Sequence, residues 1–213
     1  MSRKTSLFLL LSALALTLLI VACTAAPPEE NNVPEQIFTS YETSAFALQL
    51  PENYMGAEPN SPGLNVVINW LTSNGYDAQG FSNFVQANMA EIAYVGISTE
   101  VSITNLISYF TIAGGERPEG FSVDDFEKNY SETAGSEVFI SREQKELGGK
   151  TVDVLLYEFS QETTSYMNSF YFIDNSAESQ LWKFEFVAPK LDYDEKVAEF
   201  EQIVADFKPR TGQ

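Results

Sequence analysis

The stretch that decides the fold is Glu146-Leu-Gly-Gly-Lys-Thr-Val-Asp-Val154, in which two adjacent glycines separate two runs that contain apolar and β-branched residues. Two-residue connections with positive φ at both positions are typical of tight β-hairpins, and glycine adopts that conformation without steric cost. We therefore predict a strand over 138–147, a turn at Gly148-Gly149 and a second strand over 152–159.

Two more strands are predicted directly downstream, over 165–173 and 181–187, because both segments are rich in aromatic and apolar residues. In the second of them Trp182, Phe184 and Phe186 alternate with charged residues, so the three rings share one face of the strand. Strands that follow each other in hairpins form an antiparallel sheet.

A helix over 123–133 carries the clearest start signal in the chain. Ser122 is a preferred N-cap residue, and Asp125 three positions later completes a capping-box arrangement. Phe121 and Phe126 occupy the two positions of a hydrophobic staple, which fixes how the chain enters a helix.

A last helix is predicted to begin near Asp192, which suits an N-cap and has Glu195 three residues on. Its apolar residues recur at helical spacing and predict one buried stripe, formed by Val197, Phe200, Ile203, Val204 and Phe207. Lys208 and Pro209 follow and close the domain.

The first half of the chain is assigned from apolar periodicity. Alternation predicts strands over 44–50 and 64–70, and helical spacing predicts a helix over 81–92. A long strand is predicted over 101–112. Together with the late hairpins, these elements predict the α+β class, with an antiparallel β-sheet flanked by helices in a three-layer α/β/α sandwich.

Several motifs occur in the order found in a known family. They are Phe46-Ala-Leu-Gln-Leu-Pro-Glu-Asn-Tyr54, Ile103-Thr-Asn-Leu-Ile107, Pro118-Glu-Gly-Phe-Ser-Val-Asp-Asp-Phe126, the glycine hairpin and Asp206-Phe207-Lys208. This set covers most of residues 45–208 and resembles the PsbP-like domains of the photosystem II PsbP family. The resemblance implies the α/β/α sandwich of that family, which includes a photosystem II accessory subunit and bacterial lipoproteins. No motif carries the photosystem role onto positions of this chain.

The start of the chain has the layout of a secretory signal, with a basic beginning and an almost unbroken apolar run over 7–21. This run is short beside the roughly 20 residues that a membrane-spanning helix needs. It ends in Ile20-Val21-Ala22-Cys23, which resembles the lipobox of bacterial lipoproteins. The resemblance implies cleavage between Ala22 and Cys23 and attachment of lipid to Cys23.

Two alternatives stay open for the cysteine: an uncleaved signal anchor, and a buried structural cysteine that follows the leader by chance. Under the lipoprotein interpretation the chain has four segments: signal peptide 1–22, lipidated cysteine with flexible tether 23–36, PsbP-like domain 37–209 and C-terminal tail 210–213. The protein is then expected at the cell envelope, on the outer face of the cytoplasmic membrane or on the outer membrane. Thr24 favours the outer membrane, since an aspartate at this position would resemble an inner-membrane retention signal.

The charge of the chain limits its partners. Its formal charge is −18, from 12 Lys and Arg residues against 30 Asp and Glu residues. Cleavage before Cys23 removes Arg3 and Lys4 but no acid, so 10 bases remain against 30 acids and the charge becomes −20. Such a surface repels phosphate backbones, which excludes nucleic acid as a partner. It is also repelled by an anionic bilayer, so any membrane attachment must come from apolar insertion or from a lipid.

Residue usage excludes several kinds of chemistry. Cys23 is the single cysteine, so an intrachain disulfide and a cysteine-based metal or redox site are impossible. The chain has no histidine, the commonest general base and metal ligand. It also has no P-loop, dinucleotide fingerprint, HExxH or GxSxG pattern. We therefore expect no cofactor, no metal and no catalytic residues.

Two groups of residues remain as site candidates. Three carboxylate clusters are candidates for cation binding: Asp124-Asp125, Asp192-Asp194-Glu195 and Glu29-Glu30. The first two suit helix starts, and none of the three has the spacing of a calcium loop. Five aromatic residues are candidates for lining a ligand cleft, although core packing is the commoner role of such residues: Trp70, Tyr76, Tyr109, Tyr166 and Tyr171.

The sequence favours a membrane-anchored, non-catalytic binding or accessory module, with an unknown envelope protein or a small ligand as its partner. Two alternatives stay open. One is an envelope enzyme that uses carboxylates or a Ser-Lys pair, and the other is a divalent-cation-binding domain.

Overall fold

The computed structural model describes residues 38–210, except 101, 103, 105 and 134. The strands of this described part are β1 (Phe38–Glu42), β2 (Phe46–Pro51), β3 (Tyr54–Ala57), β4 (Ile92–Ser98), β5 (Tyr109–Glu116), β6 (Val138–Leu147), β7 (Lys150–Gln161), β8 (Thr164–Asn175), β9 (Gln180–Pro189) and β10 (Lys208–Pro209). Its α-helices are α1 (Pro62–Ser73), α2 (Ala78–Ala87), α3 (Val123–Thr133) and α4 (Tyr193–Asp206).

Two antiparallel sheets build the domain. Seven strands form the larger sheet in the order β3-β4-β5-β9-β8-β7-β6, and the smaller sheet has the order β1-β2-β10. Helix α4 and the smaller sheet pack on one side of the larger sheet, the rear face. Helices α1, α2 and α3 pack on its other side, the front face. The predicted α+β class, an antiparallel sheet between helical layers, is confirmed.

The main core lies on the rear face. The predicted alternation in β9 is confirmed, because Trp182, Phe184 and Phe186 are all buried there. The α4 stripe packs against these rings, and its buried members are Phe200, Ile203, Val204 and Phe207, with Val197 partly buried.

The predicted glycine hairpin joins β6 to β7 as expected. Gly148 and Gly149 both have positive φ, 56° and 75°. A Cβ on Gly148 would lie 2.1 Å from the carbonyl oxygen of Ala205, so this turn also needs glycine in order to approach the end of α4. Lys150 Nζ donates to the carbonyl oxygens of Ala205 and Phe207 at 2.6 and 3.1 Å, which supplies a cation to the C-terminus of that helix.

Helix α3 begins and ends where the sequence predicts. The Asp125 backbone N–H donates to Ser122 Oγ at 3.0 Å, so Ser122 is the N-cap. The Asp125 carboxylate accepts the Ser122 hydroxyl at 2.7 Å. Phe121 and Phe126 form the staple by packing on one ring of β8, with their centroids 5.9 and 4.8 Å from that of Phe172.

The predicted strand over 64–70 is wrong, because this segment lies within helix α1. Its apolar residues fit both periods, but burial follows the helical one: Leu64, Val67 and Leu71 are buried whereas Val66 is 59% exposed. Pro62 stands at the start of the helix, where its missing N–H costs nothing.

The boundaries over 81–112 also differ from the prediction. Helix α2 ends at Ala87, and Ile92 starts the unpredicted strand β4. Strand β5 starts only at Tyr109, and the described residues of 102–108 are not in a strand. Residues 101, 103 and 105 of the predicted strand lie outside the described residues. Asp192 occupies the N-cap position of α4 but does not cap it, since its carboxylate accepts hydrogen bonds from the hydroxyls of Ser102 and Thr104 instead.

In the part of the chain that the structure describes, no helix is both long and apolar enough to cross a membrane. The leader, Cys23 and the tether lie outside the described residues, so the lipobox and the segment boundaries stay predictions.

Candidate binding cleft

A cleft of about 570 Å³ lies on the front face, between helix α2 and the ends of β5, β7, β8 and β9. Six half-buried aromatic side chains line it: Tyr76, Phe81, Phe84, Tyr109, Phe159 and Tyr166. We call this group the aromatic cleft.

Strand register builds the floor of the cleft. Tyr109 on β5 lies directly opposite Val187 on β9, and Phe159 on β7 lies directly opposite Tyr166 on β8. Directly opposed residues in antiparallel strands share a face, so these side chains all reach the front face. The Phe159 and Tyr166 rings are stacked, with centroids 5.1 Å apart and planes at 13°.

Helices α1 and α2 build the wall. Phe81 and Phe84 are three positions apart on α2 and therefore point the same way. The ring of Phe84 meets Tyr109 edge-on at 5.8 Å. Tyr76, just before α2, is stacked on Trp70 of α1 at 5.7 Å.

In the structure, four of the five aromatic candidates named from the sequence lie at the cleft and one lies elsewhere. Tyr76, Tyr109 and Tyr166 line the cleft, and Trp70 supports it from behind Tyr76. Tyr171 is fully buried in the rear core instead. No sequence signal marks the three phenylalanines of the cleft as binding residues, because Phe81 and Phe84 fall in a predicted helix and Phe159 ends a predicted strand.

A polar group lies beside the cleft on the same face, and we call it the acidic cluster: Tyr130, Glu137, Asn168 and Glu185. Asn168 is 2% exposed, and its Nδ2 contacts Tyr130 Oη, Glu185 Oε1 and Glu137 Oε2 at 3.1, 3.3 and 3.5 Å. The Tyr130 hydroxyl donates to Glu137 Oε2 at 2.8 Å. Both carboxylates are thus held by one buried amide.

Strand register places the acidic cluster next to the cleft floor, because Val187 lies directly opposite Tyr109 on β5 and directly opposite Asn168 on β8. Burial raises the pKa of the Tyr109 phenol, and the nearby charges of Glu185 and Glu137 raise it further. Burial also raises the pKa of Glu185, which Lys183 and the Asn168 amide only partly offset. Glu185 therefore has no cation that compensates fully for its loss of water.

Replacing Glu185 by glutamine should stabilise the domain at neutral pH. Because the pKa of Glu185 is higher in the folded state, its carboxyl keeps a proton at pH values where the unfolded chain has already lost it. The stability of the wild type therefore falls as the pH rises from about 4.3, the unfolded pKa, through the folded pKa. The variant lacks this loss, and we expect its Tm to be higher by about 2–4 °C at neutral pH, the shift that about 1 kcal/mol gives in a domain of this size.

Thermal unfolding measured from about pH 3.5 to about pH 8 tests this expectation. Glu119→Gln, at an exposed and unpaired position, is the control for the general loss of negative charge. A Tm gain for Glu185→Gln that does not depend on pH, or a loss at neutral pH, would contradict the argument.

A second polar group surrounds Lys196 on α4, next to a small cavity of about 80 Å³ that Ser98, Ser102 and Asp192 help to line. The Lys196 ammonium donates to Glu100 and, at 3.1 Å, to Glu199 Oε2. Burial lowers the pKa of Lys196, but these two hydrogen bonds outweigh burial and the pKa is raised. A Ser-Lys mechanism needs a neutral lysine as base, and Lys196 is held in its charged form.

Among the described residues, no group of three or more acidic, cysteine or histidine side chains could hold a metal ion. The acidic pair at the start of α3 has other partners: Asp124 pairs with Arg142 at 2.5 Å, and Asp125 contacts Ser122.

The architecture defines a class of protein, an α+β domain with a seven-stranded antiparallel sheet and a smaller three-stranded one. No protein-family model matches the chain, and no curated protein matches it. Solved structures are similar to it at low identity.

Cyanobacterial PsbP (CyanoP) from Synechocystis sp. PCC 6803 is 10% identical, over 89% of this chain and 99% of that one, with a TM-score of 0.48. LpqN of Mycobacterium tuberculosis, described as involved in cell envelope biogenesis, is 9% identical over 82% and 91%, with a TM-score of 0.49. The Ran-binding protein Mog1p of Saccharomyces cerevisiae is 8% identical over 81% and 95%, with a TM-score of 0.46. The predicted resemblance to PsbP-like domains is confirmed as structural similarity alone.

Proposed function

We propose that this protein is a lipid-anchored, non-catalytic binding module of the bacterial cell envelope that takes a small ligand in the aromatic cleft. The observation that carries the proposal is the convergence of six half-buried rings on one cleft of about 570 Å³. Ligand sites in proteins have this size range and this mainly apolar lining with a few polar groups.

The half-buried state of the rings separates them from ordinary core packing. Tyr171 and Phe170, on the same strand as Tyr166, are at most 1% exposed, as expected of core residues. The cleft rings keep part of their surface uncovered although they lie side by side. A ligand that covered them would gain roughly 25 cal/mol per Å² of apolar area removed from water.

The location part of the proposal rests on the leader and Cys23. Each buried CH₂ group of a lipid contributes about 0.8 kcal/mol, and two or more acyl chains hold a protein stably where one is marginal. A tether over 24–36 spans up to about 40 Å at roughly 3.1–3.5 Å per residue. The domain would then stand clear of the headgroups that its charge opposes.

Binding is favoured over catalysis because of how the two carboxylates are held. Glu137 and Glu185 converge, as an enzyme with paired carboxylates requires. However, the Asn168 amide donates to both, so each carboxylate already accepts a hydrogen bond from a fixed group and is not a free general base. The absence of histidine from the sequence supports the same choice.

Replacing Phe159 by alanine should weaken binding of small phenyl-bearing probes by about tenfold, since an aromatic contact contributes about 0.5–1.5 kcal/mol beyond area and 1.4 kcal/mol is tenfold. Calorimetric titration of 2-phenylethanol and 2-phenylethylamine into the full-length protein in phosphatidylcholine nanodiscs measures this, with empty nanodiscs as the blank.

Phe139→Ala is the matched control, because Phe139 also lies on the front face but belongs to the edge strand β6, is 40% exposed and does not line the cleft. We expect its affinity for both probes to equal that of the wild type. The proposal fails if neither probe binds, or if Phe159→Ala binds both as the wild type does.

A further inference from the structure

We propose that the cleft ligand is an organic cation: an apolar body that carries a protonated amine, with the amine held by Glu137, Asn168 and Glu185. This inference rests on the proposed function and adds the chemical class of the ligand to it. Three independent features of the acidic cluster point to a cation that donates hydrogen bonds.

The first feature is a surplus of acceptors. The Tyr130 hydroxyl hydrogen is used on Glu137, and the Asn168 amide hydrogens are used on the cluster itself. Asn168 Oδ1 is buried and has no hydrogen-bond partner among the described residues. Buried acceptors without partners are costly, so a group that fits here must bring N–H or O–H donors.

The second feature is uncompensated negative charge. Glu137 and Glu185 share the cluster, and the described cation whose charge acts on Glu185 is Lys183, two residues earlier on the same strand face. The Lys183 ammonium lies over the rings of Phe126 and Phe170, 5.7 and 5.5 Å from their centroids, and makes no described hydrogen bond to either carboxylate. One positive charge against two negative ones leaves the cluster with a net charge of −1, which an arriving ammonium would neutralise.

The third feature is the aromatic surface that continues from the cluster. Val187 connects the two, since it lines the cleft and lies directly opposite Tyr109 on β5 and directly opposite Asn168 on β8. Ring faces attract cations, and amine-binding sites commonly combine such rings with acidic groups. The apolar body of the ligand would lie on the Phe159–Tyr166 stack.

A bare divalent ion fits this site less well than an amine. Calcium takes six to eight oxygen ligands and magnesium six, whereas the described part of the chain has no group of three or more acidic side chains that could hold a metal ion.

The test compares a matched pair of probes, 2-phenylethylamine and 2-phenylethanol, which differ by an ammonium in place of a hydroxyl. We expect the full-length protein in phosphatidylcholine nanodiscs to bind the amine at least about tenfold more tightly than the alcohol, because hydrogen bonds to charged groups are stronger than neutral ones. In Glu185→Gln this preference should fall to about threefold or less. In Glu119→Gln it should equal that of the wild type.

The outcomes separate this inference from the proposed function. Equal binding of the two probes, with both weakened by Phe159→Ala, would overturn the cation and leave the cleft as a binding site. A preference that survives in both Glu185→Gln and Glu137→Gln would also overturn it. Unfolding does not explain a loss in Glu185→Gln, since that variant is expected to be the more stable one, and its thermal melt is recorded on the same sample.

Discussion

Replacing Cys23 by serine is expected to abolish both lipid incorporation and cleavage after Ala22. In a lipobox the lipid is attached to the cysteine, and a serine hydroxyl does not take the place of that thiol. The variant should therefore keep its leader and carry no acyl group. Labelling of growing cells with a palmitate analogue, followed by intact-mass measurement of the membrane-extracted protein, checks both points together.

The wild type should begin at Cys23 and exceed the mass of residues 23–213 by the mass of its acyl groups. Thr24→Ala is the control, and it should keep the label and the cleavage. A wild-type protein with an intact leader would favour the uncleaved anchor, and a bare thiol at Cys23 would remove the lipoprotein interpretation. With a charge of −20, the domain has no other attraction to an anionic membrane surface.

Replacing Phe186 by alanine is expected to cost about 3–5 kcal/mol of folding stability, the range for truncating a large buried ring. Phe186 is fully buried at the centre of the rear core. Its ring centroid lies 4.2 Å from that of Phe200, 5.3 Å from Phe110 and 5.5 Å from Tyr171. Alanine at this position would therefore leave a cavity lined by rings on three other elements. The rigid strands on both sides of β9 limit the collapse of that cavity.

At about 2–4 °C per kcal/mol, the loss corresponds to a fall in Tm of about 6–20 °C. Thermal unfolding of the full-length protein in one detergent measures it. Phe139→Ala makes the same chemical change at an exposed position of the edge strand and should lower Tm by only about 4 °C or less. Equal losses in the two variants would mean that the rear core does not dominate stability.

Local signals account for the parts of the fold that were predicted correctly. The glycine pair fixes the β6–β7 turn through backbone conformation alone, and Ser122 fixes the start of α3 through one side-chain hydrogen bond. Such signals act within a few residues, so they can be read without knowledge of the rest of the chain. The segment 64–70 has no signal of this kind, because its apolar residues match a strand and a helix alike, and only packing on the sheet decided for the helix.

The candidate binding site, in contrast, could not be predicted from local signals. Asn168 lies 31 residues from Glu137 and 17 from Glu185, and no spacing in the sequence connects the three. They meet because the β8–β9 register brings Phe170 opposite Glu185 and Asn168 opposite Val187 on the front face. A shift of one residue would turn these side chains to the rear face.

The sequence by itself therefore determined the late hairpins, helix α3 and the exclusion of cysteine and histidine chemistry within the folded domain, and it predicts the leader. Turn, cap and composition signals suffice for these features because each depends on neighbours in the chain. Only the tertiary structure decided which aromatic residues line a cleft and which carboxylates share an amide, because strand register and helix packing join residues that are distant in the chain.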